Sequence, residues 1–131
     1  MLFVDTSVWI DFLAGRDSVE IQLLMRALQD SETVCFTGMV LQEILQGVHR
    51  KEDRMEIEER FAPFVEIFPR RSTYRLAADL FRQARSIGHP VRSGVDCLIA
   101  ACCIEQDAQL LEKDRDFQIL SQVSALQLAG K

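Results

Sequence analysis

Five acidic residues stand next to the predicted ends of secondary-structure elements along the chain. Asp5 follows the apolar segment MLFV, Glu43 lies within MVLQEILQGV, and Asp96 stands near the start of VDCLIAACCI. Asp114 and Asp116 follow AQLLEK. Carboxylates that lie close together are unfavourable without a cation, because like charges oppose ionisation and each charge resists desolvation. The pattern therefore predicts one oxygen-rich site for a divalent metal ion, with hydrolysis as the chemistry.

Each of these acids also has an ordinary structural explanation. Asp5 is suited to cap the helix that follows it, and Asp96 fits a capping box that begins at Ser93. Glu43 alone is compatible with a solvated helix face, and the two later aspartates favour the start of a helix through its dipole. The metal-site interpretation depends on the combination, because only a shared edge of the sheet would bring all five carboxylates together.

The hydrophobic pattern divides the chain into alternating strands and helices. Strands are predicted at 2–5, 33–36, 65–68, 109–111 and near 123–128. Helices are predicted at 7–14, 18–29, around Glu43, at 51–62, 72–87 and 93–106, and near 115–120. Short connections in this alternation favour an α/β three-layer sandwich, in which helices flank a mostly parallel central sheet. Sites in such sheets gather at the carboxyl ends of the strands, where Asp5 and Asp114 are expected.

Length and composition predict one domain over residues 1–131. With 48% apolar residues, the chain can bury one core but is short for two. The first residues lack the basic segment of a secretion signal, and no apolar run is long enough to span a bilayer, so we expect a cytoplasmic protein. The four cysteines, in no CxxC pair, are expected in the core.

The net charge of −5 is unevenly distributed. Between residues 70 and 92 there are six arginines and one acid, so this segment carries +5, whereas residues 1–69 carry −7 and residues 93–131 carry −3. A basic rim beside an acidic metal pocket suits a phosphodiester, because arginine binds neighbouring phosphates. A solvated basic helix face explains the same charges equally well.

Four segments, VDTSVWIDFL, LQEILQG, VDCLIAACCIE and LLEKDRDF, together resemble PIN-domain proteins of the VapC toxin type over the whole chain. The resemblance implies a PIN-like fold and an Mg²⁺- or Mn²⁺-dependent endoribonuclease that is the toxin of a toxin-antitoxin pair. RNA is then the substrate, a cognate antitoxin the partner, and a homodimer or a toxin-antitoxin hetero-oligomer the assembly, with no membrane involved. The implied metal ligands are Asp5 and Asp96, completed by Glu43 and Asp114, with Asp116 as an additional catalytic residue.

One position departs from the pattern of the family. Members often have Thr or Ser two residues before the fourth acid, and here that position is Glu112. As a strand residue, Glu112 either points away from the site or adds negative charge to it. The departure does not by itself imply inactivity.

Three other functions are compatible with parts of the sequence. His49 and His89 are candidates for a metal-free acid-base pair in RNA cleavage. A phosphoaspartyl enzyme or a receiver module is the second, because Asp5 stands where a phosphoacceptor could lie. A haloacid-dehalogenase-like phosphatase needs a second Asp at position 7, which is Ser, and the paired acids that a receiver has beside its first strand are not evident.

The remaining alternative is a catalytically weak PIN-like module that acts mainly by binding RNA or protein. Exposed apolar residues would provide a partner groove, although core packing is favoured for these candidates: Trp9, Phe12, Leu13 and Leu24.

Overall fold

Five parallel strands form the central sheet of the computed structural model, which describes residues 1–131. The strands are β1 (Leu2–Val4), β2 (Val34–Thr37), β3 (Val65–Ile67), β4 (Gln109–Leu111) and β5 (Gln127–Leu128). They lie in the order β3-β2-β1-β4-β5, and every neighbouring pair is parallel. The prediction of a mostly parallel sheet is confirmed.

Seven helices connect the strands. They are α1 (Thr6–Leu13), α2 (Val19–Gln29), α3 (Gly38–Gln46), α4 (Lys51–Phe61), α5 (Arg71–Ser86), α6 (Gly94–Glu105) and α7 (Arg115–Val123). Helix α1 contacts α2 and α3, whereas α5, α6 and α7 contact one another. With right-handed crossovers, α1 to α4 cover one face of the sheet and α5 to α7 the other, which confirms the three-layer sandwich. None of these helices combines the length and apolar character needed to cross a membrane.

The strand order reverses at β1. Strands β2 and β3 lie on one side of β1 and strands β4 and β5 on the other, with Leu2 opposite both Val34 and Gln109. Open α/β sheets bind ligands in the crevice that such a reversal leaves outside the carboxyl ends of the strands. Asp5 directly follows β1, and the segment Glu112–Asp114 follows β4, so both lie at this crevice.

Helix α6 is the most enclosed helix of the fold. Seven consecutive residues, from Cys97 to Cys103, are buried, as its apolar sequence predicts. All four cysteines are buried and free, so their predicted place in the core is confirmed. Burial raises the pKa of the Cys97 and Cys102 thiols to about 11, which keeps both in the apolar, protonated form.

Aromatic packing joins α1 to the end of α4. The rings of Trp9 and Phe61 are 4.7 Å apart between centroids. Trp9 and Leu24 are fully buried, and Phe12 and Leu13 are half-buried against the core. Trp9 and Leu24 therefore belong to the core, as favoured above, and Phe12 and Leu13 pack against it with part of their surface exposed.

Most predicted element boundaries agree with the structure within one or two residues, but the C-terminal ones do not. Helix α7 extends to Val123 instead of ending near residue 120, and β5 covers only Gln127 and Leu128 instead of residues 123–128. The Ser124 hydroxyl donates to the Leu120 carbonyl at 2.6 Å and accepts from the Leu126 N–H at 3.2 Å. This side chain closes the helix and forms the turn, so the strand begins later.

Phe61→Ala is expected to lower the free energy of unfolding by about 3–5 kcal/mol, because a buried ring is replaced by a cavity. Phe61 is 4% exposed, whereas Phe68 is 72% exposed. Phe68→Ala is therefore the matched control, with an expected change within about 0.5 kcal/mol. Urea denaturation measures both, and equal losses would contradict the packing described here.

Candidate metal centre at the carboxyl edge of the sheet

Asp5 occupies the end of β1 and is 7% exposed. Its backbone N–H donates to the Leu111 carbonyl at 3.0 Å, which ties the end of β1 to the end of β4. Although Asp5 stands at the N-cap position of α1, its side chain makes no capping hydrogen bond. Instead, its carboxylate accepts from the Ser7 hydroxyl at 3.1 Å. Capping therefore does not explain Asp5.

Glu43 lies on α3, the helix that follows the neighbouring strand β2. Helix α3 begins directly after β2, so its first turns rise from the same edge of the sheet as Asp5. The Thr6 hydroxyl donates to Glu43 Oε1 at 3.1 Å, which links α1 to α3. Glu43 is exposed, so it borders the site on the solvent side and is not part of the core.

Asp96 lies in the first turn of α6 and has no hydrogen-bond or ion-pair partner in the protein. Ser93 caps this helix by accepting from the Val95 N–H at 3.1 Å, so the predicted capping box does not form through Asp96. Burial, followed by the charges of Asp5 and Asp114 in particular, raises the pKa of Asp96 to about 7. An unpaired carboxylate that resists ionisation gains strongly from a nearby cation.

Arg92 joins the two later aspartates. Its backbone N–H and its Nε donate to Asp116 Oδ2 at 3.0 and 3.3 Å, and its Nη2 donates to Asp114 Oδ1 at 3.1 Å. Asp114 also caps α7 by accepting from the Asp116 N–H at 3.0 Å. Asp116 is only 4% exposed, so the guanidinium compensates a buried charge. In the sequence Arg92 is recognisable only as part of the basic segment, and its spacing from the two aspartates does not predict these contacts.

The structure brings all five predicted acids to one edge of the sheet. Carboxylate oxygens of Asp96, Asp114 and Asp116 lie within 4.8 Å of one another. Asp5 and Glu43 complete the arrangement, since the charges of both raise the pKa of Asp96. Burial raises the pKa of Asp5 to about 6, against the opposing effect of its hydrogen bonds and with further increases from Glu43 and Asp114. The group of three neighbouring carboxylates thus includes Asp116. The predicted metal ligands were Asp5, Glu43, Asp96 and Asp114, without Asp116.

The donor set fits a hard divalent cation. All five donors are carboxylates, without the thiolate or imidazole that would favour zinc or copper. Arg92 provides one positive charge, and it contacts only two of the acids. Asp5, Glu43 and Asp96 are left without a cationic partner, and a bound metal would supply that charge.

Consecutive residues after β4 are each bound to an opposite charge, which holds this loop in place. Glu112 pairs with Lys131 at 2.8 Å, Lys113 pairs with Asp11, and Asp114 is bound by the arginine described above. Glu112, where the sequence departs from the family pattern, is buried. Its carboxylate accepts from Lys131 and forms no hydrogen bond or ion pair with the five acids.

The other predicted candidates are not part of the acidic cluster itself. His49 follows α3 and His89 follows α5, in loops after helices on opposite faces of the sheet, and no hydrogen bond joins them. His89 lies near Arg92 and Asp116, without His49 beside it. This arrangement does not support a paired acid-base mechanism. Among the six arginines of the basic segment, Arg92 alone pairs with the five acids, whereas Arg75 and Arg82 line a groove between α5 and the start of α6.

Fold and site together define a class of α/β proteins with an acidic centre at the point of strand reversal. The family model described as "PIN domain" matches residues 2–122. The chain belongs to the PIN domain family. It is also similar to curated proteins over nearly its full length. "VapC ribonuclease Mb1587" of Mycobacterium bovis and "Ribonuclease VapC11" of Mycobacterium tuberculosis are each 29% identical to it, over 99% of this chain and 98% of theirs.

Solved structures share the fold. The structure of VapBC2 from Rickettsia felis, bound to a DNA fragment from its promoter, has a chain with a TM-score of 0.78 at 16% identity, covering 98% of this chain and 97% of that one. A chain of VapBC-1 from Haemophilus influenzae has a TM-score of 0.77 at 17% identity, covering 98% and 96%. At these identities the likeness confirms the PIN-like architecture.

The metal-free protein is expected to lose stability as the pH rises from about 4 to about 8. Asp5 and Asp96 have folded-state pKa values of about 6 and about 7, above the ordinary 3.8. The folded state therefore binds more protons than the unfolded state in this interval, and the free energy of unfolding falls with pH. Thermal melts in EDTA across this range provide the measurement.

Asp96→Asn tests the origin of that effect. Removing the charge is expected to stabilise the metal-free protein at pH 8 by roughly 1–2 kcal/mol, which corresponds to a rise in Tm of about 4–7 °C. Asp30→Asn is the matched control, because Asp30 is exposed at the end of α2. A loss of stability in Asp96→Asn at pH 8 would show that Asp96 is not under electrostatic strain.

Proposed function

We propose that this PIN-domain protein is a metal-dependent endoribonuclease that hydrolyses RNA phosphodiester bonds. The observation that supports it most is the meeting of five carboxylates at the reversal point of the sheet, three of them without a cationic partner. The ribonuclease names of its full-length relatives support RNA as the substrate. PIN-domain nucleases generally use divalent metal ions, and Mg²⁺, with Mn²⁺ as the alternative, suits an all-carboxylate donor set.

Asp5 and Asp96 are assigned as the principal metal ligands, and Glu43 and Asp114 complete the set directly or through water. Ser7 holds the Asp5 carboxylate, and Thr6 holds that of Glu43. These hydroxyls reduce the freedom of the two side chains before any metal binds, which favours ordered binding.

Asp116 is assigned a positioning role at the same site. Its buried carboxylate accepts twice from Arg92, whose side chain also reaches Asp114. This arrangement fixes the orientation of Asp114 towards the other acids. It also lowers the repulsion within the closest triplet of carboxylates.

When bound, the metal supplies Lewis acidity and lowers the pKa of a coordinated water. The carboxylates orient that water and accept its hydrogen bonds, so no histidine is needed as a base. Because the nucleophile is water, the RNA 2′-hydroxyl is not consumed. The expected products have 5′-phosphate and 3′-hydroxyl ends.

Regulation by an antitoxin is the second part of the proposal. The structural neighbours include toxin-antitoxin complexes of the VapBC type. We assign this chain the role of the toxin in such a pair, as a homodimer or a hetero-oligomer with its antitoxin. An arginine from the antitoxin would complement the unpaired charge of Asp5 and Asp96 and compete with the metal. The cytoplasm, where the RNA is found, is the proposed compartment.

A catalytically weak module that mainly binds RNA or protein is the alternative function. Arg92 favours it to a limited extent, because an internal cation already neutralises part of the acidic cluster. Metal affinity and cleavage distinguish the two functions.

Asp5→Asn and Asp96→Asn are each expected to reduce RNA cleavage at least about 100-fold, because each removes a ligand charge from the metal centre. The measurement uses antitoxin-free protein with total cellular RNA in Mg²⁺ or Mn²⁺, with mapping of fragment ends. An EDTA control is expected to abolish the cuts.

Asp30→Asn is the matched control and is expected to cleave like the wild type, since Asp30 is exposed and remote from the edge of the sheet. Fragments that end in 2′,3′-cyclic phosphates, or cleavage that persists in EDTA, would contradict the proposed chemistry. No cleavage by folded, metal-loaded wild-type protein would favour the binding module.

A further inference from the structure

A polar pocket lies beside the acidic site, on the far side of Asp116. It has a volume of about 410 Å³ and is formed by the loop between α5 and α6 and the first turns of α7. The side chains relevant to binding are His89, Arg92, Arg115 and Asp116. Asp116 is shared with the acidic cluster, so the pocket adjoins the proposed metal centre.

The pocket contains N–H groups that no acceptor in the protein binds and that could bind an anion. Arg92 uses Nε and one N–H of Nη2 for the two aspartates, so three of its five N–H groups are free. The Arg92 side chain is 77% exposed. Arg115 is exposed and forms no ion pair, and His89 is exposed at the opposite wall. The internal ion pair therefore fixes the orientation of Arg92 while leaving part of its guanidinium accessible.

We propose that this pocket binds a phosphate group of the RNA substrate next to the one that is cleaved. The inference rests on the proposed ribonuclease function. A strand whose scissile phosphate lies among the five carboxylates passes Asp114 and Asp116 as it leaves the site. The next anionic group then reaches Arg92 and Arg115, whose planar guanidinium groups match phosphate oxygens.

Charge and lining favour RNA over an apolar peptide as the occupant. The protein carries a net charge of −5, so a polyanion needs a local cationic contact to remain at the acidic edge. The lining is mainly polar, with Ile119 as its only large apolar side chain. A peptide that docks through apolar anchors would find little surface here.

The groove between α5 and the start of α6 is the competing path for the strand. It is also lined by two arginines, Arg75 and Arg82. Arg82 is paired with Asp79 at 2.6 Å, within the same helix. That pair offsets the charge of the groove, and neither arginine contacts the acidic cluster. The pocket beside Asp116 is therefore the better site for the adjacent phosphate.

The test measures steady-state cleavage of a labelled RNA oligonucleotide that contains the mapped cut site. Arg115→Ala is expected to raise KM about 5- to 20-fold with little change in kcat, because a charge-assisted contact outside the reacting atoms is lost. The slope of log(kcat/KM) against log[salt] should become shallower by about 0.7, the value for one phosphate contact on a single strand. Arg115→Lys should restore part of the salt dependence.

Two controls separate loss of the phosphate contact from a general effect of charge and from damage to the metal centre. Arg26→Ala removes an exposed arginine of α2 that forms no ion pair, and it should leave both KM and the salt slope unchanged. Mn²⁺ affinity, measured by calorimetry, should be unchanged in Arg115→Ala, which excludes collapse of the metal centre.

If the wild type cleaves RNA but Arg115→Ala behaves like Arg26→Ala, this inference is wrong and the proposed function stands. A change of slope in Arg75→Ala alone would place the phosphate in the α5 groove and overturn the inference. Weakened binding of an antitoxin with unaltered RNA kinetics would assign the pocket to a protein partner. A wild type that cleaves no RNA would overturn both proposals.

Discussion

Repulsion among carboxylates at the carboxyl edge of the sheet is the constraint on which the rest of the site depends. Five acids meet where the strand order reverses, and burial adds to their mutual repulsion at Asp5 and Asp96. Such an arrangement lowers stability when all groups are ionised. The proposed metal ion would offset this repulsion, since Arg92 supplies only part of the required charge.

The surrounding structure holds the acids in place from several directions. Strand pairing joins the ends of β1 and β4, through the hydrogen bond from Asp5 N–H to the Leu111 carbonyl. Ion pairs fix successive residues of the loop after β4, including Lys113 on Asp11. A site built on strand ends and helix starts is thereby more rigid than one on free loops, which suits binding of a small, geometrically demanding ion.

The architecture of the sheet and the edge that carries the acids were predictable from the sequence, because both follow from hydrophobic periodicity. Hydrophobic periodicity gives the elements, and the alternation of elements gives a parallel sheet whose ends must share one edge, so Asp5 and Asp114 could be placed together. What could not be predicted are contacts between side chains far apart in sequence. Arg92 and Asp116 are 24 residues apart, and Glu112 meets Lys131 only because β5 follows β4 in the sheet. The final strand was predicted, but its start was placed too early, since one hydroxyl at Ser124 decides where α7 ends.

Calorimetric titration of the metal-free protein with Mn²⁺, in two buffers of different ionisation enthalpy near pH 6.5, tests the central claim most directly. If a metal ion relieves the repulsion at Asp5 and Asp96, binding must release protons from these groups and must tighten as the pH rises. The Asp96→Asn variant should then bind more weakly and release fewer protons. Absence of binding, or equal affinity and proton release in wild type and variant, would contradict the account.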